Sequence, residues 1–203
     1  MRIADIDIPE AHSAGEIVTN TIYWIVAMAV AGAAGMTRAP AVMVLGGLVA
    51  YALVQQGAGS IAYHATRDGV LWSQLLDAIS IQWVMGALVG LSLYAAYDVT
   101  PYVLVPLVLG AWAWWWRHGD HVRRNPAIAL QALIVVGLMW GSVGWQWTLF
   151  CLALILLAVA LQMGTAVHSK WHSLWHVLAG LAQGMAGCLL ALHAGGIDVP
   201  FPL

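Results

Sequence analysis

Trp145-Gln146-Trp147-Thr148-Leu149-Phe150-Cys151-Leu152-Ala153-Leu154-Ile155-Leu156-Leu157-Ala158-Val159-Ala160-Leu161-Gln162-Met163 carries no charged side chain. A run of this kind matches the roughly 20 apolar residues that a helix needs to cross a hydrocarbon layer about 30 Å thick. Similar runs fill the chain on both sides of it. They extend over Ile17 to Gly35, Ala41 to His64, Val70 to Tyr97, Tyr102 to Trp116, Pro126 to Trp140 and Trp171 to His193. Short polar or Pro- and Gly-containing stretches separate them, such as Thr37-Arg38-Ala39-Pro40, Asp98-Val99-Thr100-Pro101 and Arg117 to Asn125. The expected fold class is an all-α integral membrane protein, a seven-transmembrane helix bundle forming one domain over residues 1–203.

Composition supports the same class. The chain has 203 residues, 62% hydrophobic and 8% charged, with a mean hydropathy of +0.84, whereas a soluble domain carries about 25% charged residues. Seven spans would use about 140 residues, which leaves short loops and no separate soluble domain. A net charge of −2 offers no basic stripe, so a nucleic-acid partner is not expected. Cys151 and Cys188 lie inside apolar runs and read as small buried hydrophobes rather than a disulfide. The N-terminal MRIADIDIPEAHSAGE is acidic and polar, unlike a cleaved signal peptide.

Basic residues orient the bundle. Arg2, Arg67, Arg117, Arg123, Arg124 and Lys170 fall on the side of the N-terminus, and Arg38 alone on the other. The positive-inside tendency then places the N-terminus in the cytoplasm and the C-terminus outside, as in a bacterial inner membrane. Trp112, Trp114, Trp115 and Trp116, running into Arg117, read as an aromatic belt at the cytoplasmic headgroups. Gly86 with Gly90, and Gly180 with Gly184, place small residues one turn apart, suited to close helix packing.

Three polar features stand out against this apolar background. Of nine acidic residues, only Asp77 falls well inside a span, about two turns in, within Gln74-Leu75-Leu76-Asp77-Ala78-Ile79-Ser80. An ionisable group at that depth costs several kcal/mol unless paired or hydrated, which makes it a functional candidate; the plainer alternative is an aspartate that only bonds a neighbouring helix. His172 and His176, at i and i+4 in Trp171-His172-Ser173-Leu174-Trp175-His176, share a helix face and can reach one metal ion. Ser60 and His64 are likewise four residues apart at the end of the second run. That run ends on the side where the third and seventh begin, so Ser60, His64, Asp77, His172 and His176 come to one membrane level. Three neutral imidazoles plus one water make a tetrahedral zinc site with an open position. His168 lies in the polar stretch before Lys170 and is read as solvated.

These three stretches resemble the CREST superfamily of seven-helix membrane hydrolases. It contains the alkaline ceramidases, the adiponectin and progestin receptors with their bacterial hemolysin III relatives, and several lipid-remodelling proteins. Trp171 to Leu181 and Gln74-Leu75-Leu76-Asp77 are most similar to the alkaline ceramidase motifs. The resemblance implies zinc bound by His64, His172 and His176, with Ser60 and Asp77 bonding the zinc-bound water or the substrate oxygen. It implies a zinc-dependent lipid amidohydrolase that cleaves a ceramide-like amide to fatty acid and sphingoid amine. Asp77 would be the general base and Ser60 the oxyanion donor. Glu16 and Asn20 are similar to the acidic-to-asparagine pattern that opens the family's first helix, with one residue more between them. Eukaryotic ceramidases also carry a tryptophan-containing acidic calcium motif before that helix; Asp5, Asp7 and Glu10 lack its pattern, so calcium (Ca2+) dependence is doubtful. The alternative is a hemolysin III- or adiponectin-receptor-like signalling protein with a structural zinc. A transporter would want acidic residues spread along a path, and Asp77 stands alone.

Overall fold

The computed structural model describes residues 14–65, 71–118, 121–164 and 170–202. Among these the regular structure is entirely helical, in the order α1 Ala14–Asn20, α2 Ile22–Thr37, α3 Pro40–Ala65, α4 Leu71–Tyr97, α5 Pro101–His118, α6 His121–Ser142, α7 Trp145–Gly164 and α8 Lys170–Ala194. Five stretches are long and apolar enough to cross a membrane: Val18–Thr37, Pro40–Ala65, Ile79–Tyr97, Trp145–Gly164 and Trp171–Ala194. Pro101–Trp114 and Ala127–Ser142 are apolar but shorter.

Two local departures from the expected boundaries have plain causes. The first run divides into α1 and α2 at Thr21, whose hydroxyl donates to the Val18 carbonyl at 2.6 Å. The Trp24 and Ile25 N–H groups donate back to the Thr21 carbonyl, so the chain keeps its helical direction through the hitch. Most of the Arg117-to-Asn125 stretch, expected as a loop, is helical: α5 continues to His118 and α6 starts at His121. Arginine is a good helix former, and polar turns beyond an apolar span need no break.

Close packing centres on α3, α4 and α8. Helix α4 touches α3, α5, α6 and α8, while α2 lies between α3 and α8. The groove that receives α2 is cut into α8 by Gly180, Gly184 and Gly187. A β-carbon at Gly180 would stand 2.9 Å from Ile22 and 3.2 Å from Tyr23, one at Gly184 would press into Val26, and one at Gly187 would stand 2.9 Å from Val30. Small residues let helix backbones approach where no hydrophobic drive between helices exists. Gly59 does the same for α3 and α4, its added β-carbon lying 3.1 Å from the Asp77 nitrogen and the Leu76 carbonyl oxygen. Of the Gly86–Gly90 pair, Gly90 meets Val108 at 3.1 Å, whereas Gly86 has only the Gln131 side-chain nitrogen at 4.0 Å.

Large apolar side chains face outward, among them Met28, Leu133 and Met163, a surface that suits hydrocarbon and not water. The tryptophan run is not a uniform belt: Trp114 is exposed, but Trp112 turns inward, its ring 5.0 Å from that of Trp83. The side chains of Trp115 and Trp116 lie outside the described residues. Both cysteines are free, Cys151 buried and Cys188 half-buried. At the far end Gly196, with φ at +75°, closes α8. Its N–H donates to His193 and that of Ile197 to Leu192, each at 2.9 Å, the bonds of a helix-ending αL turn.

Candidate metal centre

Helix α3 delivers His64 in its last turn, and α8 presents His172 and His176 from its first two turns. Because α3 ends at the end of the bundle where α8 begins, residues 108 apart in sequence meet. The Nε2 atom of His172 lies 3.3 Å from that of His64 and 3.0 Å from that of His176. The three ligand atoms all fall within 4.8 Å of one another. The ring planes stand steeply to each other, at 69° for His64–His172, 86° for His172–His176 and 88° for His64–His176. Among the described residues no other trio of His, Cys, Asp or Glu gathers in this way.

The donor set suits a cation better than a hydrogen-bonded cluster. In a neutral imidazole each ring nitrogen either donates one proton or offers one lone pair. His172 Nε2 faces two partner nitrogens and can satisfy only one of them by a hydrogen bond. A cation at the point of convergence accepts all three lone pairs together. Zinc–nitrogen bonds of about 2.0–2.1 Å give a tetrahedron whose edges are about 3.3 Å, close to the spacings found. His176 and His64 are 2% and 5% exposed, and polar nitrogens buried to that degree require a partner. Three histidines therefore lie close enough to bind a metal ion.

The surroundings are aromatic and polar in turn. Trp175 lies against His176 with ring centroids 4.3 Å apart, Tyr63 lies 5.1 Å from His64, and Tyr23 of α2 meets His176 edge-on at 6.3 Å. Ser60, one turn before His64 on α3, is completely buried, and its hydroxyl has no hydrogen-bond partner among the described residues. Asp77 is half-buried in α4, with its backbone nitrogen against Gly59, the neighbour of Ser60. Its carbonyl accepts a bond from the Ser80 hydroxyl at 2.7 Å.

Of the residues singled out in sequence, the structure joins His64, His172 and His176 directly and sets Ser60 and Asp77 in the adjoining register of α3 and α4. Asn20 is buried at the end of α1. His168, Asp5, Asp7, Glu10 and the side chain of Glu16 lie outside the described residues. Two neighbours escaped the sequence reading, Tyr23 and Gln56, which are 0% and 2% exposed. The signal for Gln56 was present: Gln56, Ser60 and His64 recur every four residues in an otherwise apolar run. Tyr23, near the start of a span, looks in sequence like any interfacial aromatic.

Purified protein should hold about one equivalent of metal by elemental analysis, and His64→Ala, His172→Ala and His176→Ala should each lose most of it. His168→Ala should keep it, since a fourth protein imidazole would close the position that a catalytic site leaves open. Full metal in all three triad variants would exclude this centre.

Comparison with protein-family models and with curated protein sequences found no match to this chain.

Proposed function

We propose that the protein is a zinc-dependent, multi-pass membrane hydrolase that cleaves lipid amides in the manner of an alkaline ceramidase. The observation that carries this is the convergence of three imidazole nitrogens, with a buried serine one turn from His64 on α3 and a half-buried aspartate on the adjoining α4. Three histidines leave a fourth position of a tetrahedral ion open, the arrangement of catalytic rather than structural zinc. A zinc ion held there would supply a Lewis acid that acidifies water and polarises a carbonyl.

The chain's own residues supply the rest. Asp77 takes a proton from the attacking water and passes it to the leaving nitrogen as the carbon–nitrogen bond breaks, releasing fatty acid and amine. The Ser60 hydroxyl, which makes no hydrogen bond to the described protein, donates to the carbonyl oxygen as negative charge grows on it. The centre sits at the end of apolar helices, where a membrane lipid can present its amide without leaving the bilayer.

Helices α5 and α6 complete a seven-span bundle in this proposal. Their 18 and 22 residues correspond to about 27 and 33 Å at 1.5 Å per residue. Both lengths suit a hydrocarbon layer of about 30 Å, and polar turns at one end of each dilute their hydropathy. With the basic side cytoplasmic, the N-terminus and the α5–α6 junction lie inside, in a bacterial inner membrane. Single cysteines at His121 and Val143, in a background lacking Cys151 and Cys188, should react with membrane-impermeant reagents from opposite sides, position 121 from the cytoplasm. Labelling of both from one side would remove α6 from the count.

Asp77→Asn provides the sharpest check on catalysis, because it preserves size and removes proton acceptance. With the three histidines untouched, metal content should stay at the wild-type level. Fatty acid release from a ceramide-containing panel of lipid amides, read by mass spectrometry, should fall about 10²–10⁴-fold, and Ser60→Ala should be milder. Full turnover in Asp77→Asn would exclude it as base, and loss of metal together with fold would favour a purely structural centre.

A further inference from the structure

A cavity of about 290 Å³ opens at the end of the bundle opposite the histidines, where α4, α6 and α8 all finish. Helices α6 and α8 both pack on α4 but barely touch each other, and the cavity lies in the gap this leaves. Its floor is made of small residues, Ala95 and Ala96 of α4 and Gly137 and Gly141 of α6. The two glycines do not serve to admit a neighbouring helix, because a β-carbon added at either would meet nothing within 4 Å. Glycine weakens a helix that it does not help to pack; here it keeps a space open.

The lining is rich in acceptors. The last carbonyls of an α-helix have no partner within the helix. At α8 the turn from Gly195 to Ile197 caps them. At α4 and α6 they stay open: among the described residues no backbone N–H donates to the carbonyls of Ala95, Ala96 and Tyr97, or to those of Gly141 and Ser142. Ser142 adds a hydroxyl whose proton is already given to the Leu138 carbonyl at 2.9 Å, which leaves lone pairs to offer. Helix C-termini also carry partial negative charge, no described Lys or Arg lines the cavity, and Asp98 follows directly on Tyr97. Such a lining disfavours an anion and suits a cation that brings several N–H donors. A primary ammonium has three donors and no acceptor, whereas a trimethylammonium has the charge and no N–H at all.

The surroundings name the source of that ammonium. From Gly141 and Gly137 the same face of α6 continues at three- and four-residue steps to Ile134 and Leu130, both exposed, a track for acyl chains. Tyr97, Tyr102 and Trp140 are exposed near this end of the bundle, the aromatic pattern of the headgroup level. A soluble amine has no use for either feature. We infer that the cavity seats the primary ammonium of an ethanolamine phospholipid, drawn from the leaflet opposite the histidine centre, with its acyl chains along α6. His193, exposed at the α8 edge of the cavity, offers a ring N–H to the phosphate that follows. The seat is separate from the hydrolysis proposed above, and its test uses no turnover.

The test is native mass spectrometry of the delipidated protein in detergent. The probes are dioleoyl phosphatidylethanolamine, dioleoyl phosphatidylcholine and glycerophosphoethanolamine, which lacks acyl chains. The wild-type protein should retain one ethanolamine lipid per chain, at least about fivefold more tightly than the choline lipid, the worth of hydrogen bonds to a charged group. Gly141→Leu and Gly137→Leu fill the floor and should each bring that ratio to within about twofold, with metal content unchanged. Whichever of the two keeps the wild-type melting temperature decides. Equal retention of both lipids by the wild type, as non-specific annular lipid would give, overturns the inference, and so does a preference undiminished in the deciding variant. Glycerophosphoethanolamine bound as tightly as the intact lipid would overturn the lipid assignment in favour of a soluble amine.

Discussion

Three imidazole nitrogens brought to within 4.8 Å of one another, inside a bundle with few other charges, impose the condition that the rest of the structure serves. Such a cluster is poorly satisfied by protons alone, since His172 Nε2 faces two partners and can bond only one. It becomes favourable when a cation accepts the three lone pairs together. The fold must therefore hold the end of α3 against the start of α8 with little play. It does so indirectly, through α2. The glycine groove of α8 seats Ile22, Tyr23, Val26 and Val30, and α2 in turn packs along α3 near Gly57. A side chain larger than hydrogen at Gly180 or Gly184 would push α2 outward and loosen the frame that fixes the histidines.

The same frame fixes α4. Gly59 lets the backbone of α3 rest on that of α4 at Leu76 and Asp77, which sets the aspartate in register with Ser60. A glycine beside the serine decides how near an acidic residue can come, and that residue is Asp77, two positions before the apolar stretch Ile79–Tyr97. An ionisable group near a membrane span is costly unless it acts or is paired, which is why Asp77 carries the proposed chemistry.

Much of this was legible before any coordinates. Alternation of helix direction is enough to put Ser60, His64, Asp77, His172 and His176 at one level, because each span reverses the chain. Four-residue spacing is enough to put His172 beside His176 and Ser60 beside His64. Helix rotation was not legible. A span that is apolar on every side gives no hint of which face meets lipid and which meets protein. Trp112 therefore read as part of a belt although it packs on Trp83, and Tyr23 read as an ordinary aromatic although it stands edge-on to His176. Helix ends were blurred for a related reason. Arg117 and Arg123 mark the end of the apolar part, but arginine does not stop a helix, and the helical turns run on past it.

The proposed chemistry depends on the histidine centre, and X-ray absorption at the zinc edge of the purified protein interrogates it directly. The expected spectrum shows three imidazole nitrogens and one further light atom around the metal, all at about 2.0–2.1 Å, with the imidazole signature weakened in His172→Ala. A shell containing sulfur, a six-oxygen shell, or a spectrum indifferent to His172→Ala would contradict it.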